Sequence, residues 1–91
     1  MESGKHKVYI LYSAGFDKYY VGVTSDIERR FLDHNAGFNR STKPYRPWEL
    51  VLIISKESRS EALKLELKLK DLNKSRIKQF ISKYSGLEGT R

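Results

Sequence analysis

The residues able to do chemistry in this chain are tyrosines, Arg30, His34 and Glu66, and each also allows a plainer reading. Six tyrosines fall in 91 residues, and four of them, Tyr9, Tyr12, Tyr19 and Tyr20, sit within residues 9–20. A phenol aimed at a substrate serves as acid, base or phosphate ligand; the same rings also pack across paired strands with their hydroxyls at the rim. Ile27, Arg30, Phe31 and His34 recur at helical spacing, so Arg30 and His34 share a face with two apolar residues. Such an arginine either forks onto a phosphate or snorkels at the edge of a core. The histidine is either a functional group or one satisfied by the backbone. Glu66 lies beside the apolar stripe of its own segment. It is either a partner for Lys70 at i+4, contributing a few tenths of a kcal/mol, or an acid pointing into a cleft.

These side chains need elements to hold them. Residues 7–13 (KVYILYS) and 19–24 (YYVGVT) are β-branched and aromatic, and AGFDK between them carries turn formers, so a hairpin is expected. Ser25 or Asp26 then caps a helix running to about Asn35, with Gly37 just past its end. Residues 36–47 read as a loop with two prolines. A third strand follows over Trp48–Ser55, and its unbroken VLII predicts burial on both faces. LKLELKLK at 63–70 alternates like a strand. It lacks β-branched residues, however, and follows the capping box Ser58-Arg59-Ser60-Glu61, so helix is the better assignment. A last helix over about Lys74–Tyr84 buries Ile77, Phe80, Ile81 and Tyr84. The order ββαβαα is an α+β fold, a small and mainly antiparallel three-stranded sheet flanked by helices. One domain over 6–84 with frayed ends at 1–5 and 85–91 accounts for the length.

Composition limits the partners. The formal net charge is +7 and no cysteine is present, which excludes a disulfide framework, thiolate metal sites and a cysteine nucleophile. Residues 46–91 hold eleven Lys and Arg against six acids, while residues 1–45 hold seven against five. Lys68, Lys70, Lys74, Arg76, Lys78 and Lys83 are opposed only by Asp71. Such a run is often a solvated helix face. Its imbalance points instead to phosphates, through contacts that bind without reading sequence. No stretch is long enough to cross a bilayer, and residues 1–6 carry no signal peptide. A cytoplasmic protein without membrane contact is expected.

In order and spacing, these residues resemble the GIY-YIG nuclease superfamily, and within it the small stand-alone bacterial members. The first half of the signature is Lys7-Val8-Tyr9 and the second Tyr20-Val21-Gly22. Arg30 follows Gly22 by eight residues, and His34 follows Arg30 by four. Ser60-Glu61-Ala62-Leu63 with Glu66 is similar to the segment carrying the family's acidic metal ligand. Lys7 stands where the family has its first glycine, Val8 and Val21 stand for its isoleucines, and Asn73 does not match the family's C-terminal asparagine.

The resemblance implies a GIY-YIG-type endonuclease that hydrolyses phosphodiesters in nucleic acid, DNA ahead of RNA, with one Mg²⁺ or Mn²⁺ ion on Glu66. Tyr9 would help activate water, Tyr20 would orient water or phosphate, and Arg30 would neutralise phosphate charge with His34 in support. Gly22 would allow close approach of the backbone, and Lys68, Lys70, Lys74, Arg76 and Lys78 would hold the substrate. The rival readings are a nucleic-acid-binding module of the same fold without catalysis, and an adaptor for a partner protein.

Overall fold

The computed structural model describes residues 5–89, with side chains through Tyr84. Strands β1 (His6–Ser13) and β2 (Lys18–Thr24) form the expected hairpin, followed by helix α1 (Ile27–Ala36). A single 3₁₀ turn at Lys43–Tyr45 interrupts the next loop, before strand β3 (Glu49–Lys56) and helices α2 (Arg59–Lys70) and α3 (Lys74–Gly89). The order is the one read from the sequence. Of the tails expected at 1–5 and 85–91, residues 1–4 and 90–91 lie outside the described residues, and α3 stays helical through Gly89.

Local chemistry sets the boundaries. The Asp26 side chain accepts from the Arg29 N–H at 3.2 Å and starts α1. Gly37 ends it in the left-handed region at φ 87°, where a side chain would be strained. Ser58 accepts from the Glu61 N–H at 3.1 Å, so the capping box outweighs the alternation of 63–70 and α2 forms. Asn73, which matched no functional position, accepts from the Arg76 N–H at 2.9 Å and begins α3.

The sheet order is β2-β1-β3, antiparallel throughout, with Tyr9 opposite Gly22 and Leu11 opposite Tyr20. The central strand β1 separates two cores. On one face Val8, Ile10 and Val21 meet Ala62, Leu69 and Ile77 of α2 and α3. On the other, Tyr9, Leu11 and Trp48 pack with Ile27 and Phe31 of α1.

The expectation that β3 is buried on both faces is wrong. β3 is an edge strand, none of its residues is buried, and Ile53 is 42% exposed. The run of apolar residues reflects a register irregularity opposite Ile10 and Leu11. There Val51 is the unpaired extra residue, and Val51 and Leu52 both pack on the α2 and α3 core.

Candidate active site

The central strand buries the Tyr9 ring in the α1-side core. The ring is 1% exposed, yet its phenol oxygen lies 2.8 Å from Nε2 of His34, itself fully buried on α1. Nδ1 of His34 lies 2.8 Å from Oγ1 of Thr42, which is also buried. The direction of this chain follows from its far end. The Thr42 hydroxyl donates its one hydrogen to the Asn39 carbonyl oxygen at 3.3 Å, so it accepts from His34. His34 therefore carries its proton on Nδ1, and Nε2 accepts from the Tyr9 hydroxyl.

The loop that supplies Thr42 is clamped at both ends. The Trp48 indole N–H donates to the Thr42 carbonyl oxygen at 2.9 Å. The Asn35 amide exchanges two hydrogen bonds with the Trp48 backbone, at 2.6 and 3.0 Å. Sequence reasoning missed Asn35, Thr42 and Trp48 as supports of the site, because they lie outside the periodic pattern that marks a helix face.

Gly22 stands opposite Tyr9 for a steric reason. A Cβ at position 22 would fall within 3.0 Å of three atoms of the Tyr9 phenol, so no other residue lets the ring lie where it does. Tyr20 completes the cluster, its ring edge-on to His34 at 5.0 Å and tilted toward Tyr9 at 6.3 Å.

Tyr9 lines a cleft of about 260 Å³ together with Tyr20, Gly22, Arg30, Arg59 and Glu66. α1 packs on one face of the sheet and α2 on the other, and Arg30 of α1 and Glu66 of α2 both line this cleft, beside Tyr20 and Gly22 of β2. The structure thus brings together Tyr9, Tyr20, Gly22, Arg30 and Glu66, with His34 sealed behind Tyr9. Arg59 was not anticipated as a site residue. It lies seven positions before Glu66, two helical turns away on the same face, which was the available signal. Of the basic residues proposed to hold substrate, Lys70 pairs with Glu66 at 3.1 Å and Lys74 with Asp17 at 3.0 Å. Lys68 lines a separate groove beside Phe80 and Lys83. Arg76 and Lys78 are exposed and line neither the cleft nor that groove.

Electrostatics set the protonation states. Burial raises the Tyr9 pKa to about 12, against the pull of the hydrogen-bonding Arg30 guanidinium, while the neighbouring Tyr20 and Glu66 add to the rise. Burial lowers the His34 pKa, and the Arg30 charge lowers it further, against a small opposing pull from Asp33. At neutral pH the pair is a phenol donating to a neutral imidazole.

No three His, Cys, Asp or Glu side chains gather into a metal cluster among the described residues. A lone carboxylate, 17% exposed and facing a polar cleft, suits a hard cation that keeps most of its waters. It does not suit one needing a cage of nitrogen or sulfur ligands. No helix among the described residues is long and apolar enough to cross a membrane.

Comparison with known proteins agrees with this geometry. The family model described as the GIY-YIG catalytic domain matches residues 5–83. The chain is 34% identical over 82 residues to the UPF0213 protein lin0209 of Listeria innocua, covering 89% of this chain and 90% of that protein. It is 33% identical over 88 residues to the UPF0213 protein H16_B0156 of Cupriavidus necator, covering 92% and 91%. The solution NMR structure of the UPF0213 protein BH0048 from Bacillus halodurans superposes with a TM-score of 0.56 at 32% identity, covering 85% of this chain and 82% of that one. With its signature tyrosines, helical arginine and glutamate lining one cleft, the chain belongs to the GIY-YIG family, among relatives that carry the UPF0213 name.

Proposed function

We propose that this protein hydrolyses phosphodiester bonds in nucleic acid, DNA ahead of RNA, at the cleft between α1 and α2. The observation that carries the reading is the chain from Tyr9 through His34 to Thr42, which ends at a cleft lined by two arginines and a carboxylate. Arg30 and Arg59 supply the forked donors a phosphate takes. Glu66 is the residue that would hold one Mg²⁺ or Mn²⁺ ion, with Lys70 as the cation's competitor for its oxygen. Such an ion, when bound, neutralises charge on the phosphate and the departing oxygen.

The proton chemistry belongs to the protein. A phenol with a pKa near 12 is ionised in only about one molecule in 10⁵ at pH 7, so Tyr9 alone is a poor base. Its oxygen becomes basic when its own hydrogen leaves in the same step. The attacking water gives a proton to the Tyr9 oxygen while the phenol hydrogen passes to Nε2 of His34. His34 becomes an imidazolium that still donates from Nδ1 to Thr42. The water oxygen bonds to phosphorus, the bond to the leaving ester oxygen breaks, and that oxygen takes a proton from solvent. Tyr20, beside both His34 and Tyr9, orients water or phosphate.

The test is cleavage of a panel of labelled DNAs and RNAs with Mg²⁺, with Mn²⁺ and with EDTA, beside Glu66→Ala and Arg30→Ala. Metal-dependent cleavage that both substitutions abolish is expected. Unchanged cleavage by Glu66→Ala overturns the reading. A second reading, binding without hydrolysis, is favoured by the Lys70 ammonium that already occupies the Glu66 oxygen. It predicts salt-sensitive binding on the panel that needs no metal and is indifferent to Glu66→Ala.

A further inference from the structure

Tyr20 bounds two cavities. One is the cleft just described; the other, about 280 Å³, lies between β2 and the helices α2 and α3. Its floor is apolar, formed by Tyr19, Leu69, Leu72 and Ile77. Its rim carries Lys18, Lys70 and Lys74. At ~30 Å³ per water it holds several molecules against a mainly apolar lining, a poor exchange for liquid water. A flat aromatic ring that displaces them is the better occupant.

The rim says which ring. Lys70 lines this cavity and reaches the edge of the other through its partner, pairing with Glu66 of the cleft at 3.1 Å while its ammonium stands 6.0 Å from the centre of the Tyr20 ring. Lys74 holds Asp17 at 3.0 Å, and Lys18 lies 4.6 Å over the Tyr45 ring. Two acids are thus bound to this rim, Asp17 on Lys74 and Glu66 on Lys70, against three ammonium groups, which leaves it net positive through Lys18. A neutral aromatic molecule would draw only cation–π attraction from those charges; a ring carrying a phosphate on either side would draw ion pairs as well.

We propose that this pocket takes a nucleobase of the substrate strand, from a nucleotide neighbouring the phosphate in the catalytic cleft, with Tyr20 as the wall between them. This rests on the function proposed above. Seated there, the base leaves its stack to lie against Tyr19 and Leu72, and its flanking phosphates meet the rim lysines. Contact of this kind is tolerant of base identity, because every base offers an apolar face.

The experiment is an NMR titration of the full-length protein, in EDTA, with trithymidylate and with a trinucleotide of the same backbone lacking bases. Trithymidylate is expected to shift the resonances of Tyr19, Leu69 and Leu72 together with those of Arg30 and Arg59. The abasic chain is expected to shift the arginines alone. Leu72→Trp, which fills the pocket at a half-buried position, should weaken trithymidylate binding roughly tenfold and leave shifts induced by inorganic phosphate at Arg30 unchanged. Equal shifts of the pocket residues by both trinucleotides would overturn the proposal, since lysines attracting phosphate then suffice. Shifts confined to the cleft with trithymidylate would overturn it as well and leave the proposed hydrolysis standing. Base-dependent pocket shifts in a protein that cleaves nothing would support the pocket and remove the hydrolysis.

Discussion

His34 stands between two hydroxyls with no surface exposed, so protonating it strands a charge beside Arg30. Its native pKa lies below the ~6.5 of the unfolded chain. The stability its neutral form contributes is therefore complete above pH ~6.5 and is lost as the pH falls through the native value. The proposed relay takes the same sign, because the charged ring has no lone pair for the Tyr9 proton. A rate profile at saturating metal should hold level through neutral pH and fall on an acid limb below pH ~6.5; a limb centred above that value would contradict the assignment. Thr42→Val keeps the shape of the side chain but removes the acceptor for Nδ1–H, which costs about 1–3 kcal/mol if left unmade. Moving the proton to Nε2 exchanges that buried unpaired donor for an unpaired acceptor on Nδ1, and the ring then donates to Tyr9 and blocks the proposed relay. Cleavage should drop by ~10²-fold while the circular dichroism spectrum is unchanged, and nitrogen shifts of His34 should report the other tautomer. Type and spacing singled out Tyr9, Arg30, His34 and Glu66 with a plainer reading beside each, and only the family resemblance set them together; the fold puts Tyr9, Arg30 and Glu66 around one cleft with His34 behind Tyr9. Thr42 was not legible: a loop threonine becomes a partner only through the turn of chain that Trp48 and Asn35 pin down.

At the scale of elements, caps were the readable feature. Ser58 and Gly37 fix helix ends through local hydrogen bonds and φ alone, and such features need no tertiary knowledge. The surroundings of β3 were not readable, because VLII looks the same on an edge as in a centre. Sheet order decided it, and order depends on which strands pair at long range. Gly22 sits between these cases. Its motif position drew attention, but the reason, the Tyr9 ring lying across it, belongs to the register of β1 against β2. Gly22→Ala should push the Tyr9 ring off His34. Expected are a loss of about 1–3 kcal/mol in chemical denaturation and cleavage reduced at least as much as by losing the relay. An alanine variant with native stability and rate would show that the ring has room to move.

Over the whole molecule, net charge was readable as a sum and not as a surface. Successive helical residues step around the axis at 3.6 per turn, so the run from Lys68 to Lys78 is dealt to different sides. Lys70 and Lys74 go to acids beside the cleft and the second pocket, Lys68 to another groove, and Arg76 and Lys78 to solvent. What the fold does concentrate is Tyr9: the central strand carries it, α1 and its loop supply the relay behind it, and α2 sets the carboxylate in front. The most direct measurement is therefore the single-turnover cleavage rate of Tyr9→Phe against the unsubstituted protein, at saturating Mg²⁺ on the best substrate of the panel. The substitution removes one oxygen and keeps the buried ring. Substrate binding should be retained and the rate should fall by ~10²-fold or more; a rate equal to that of the unsubstituted protein would contradict the account.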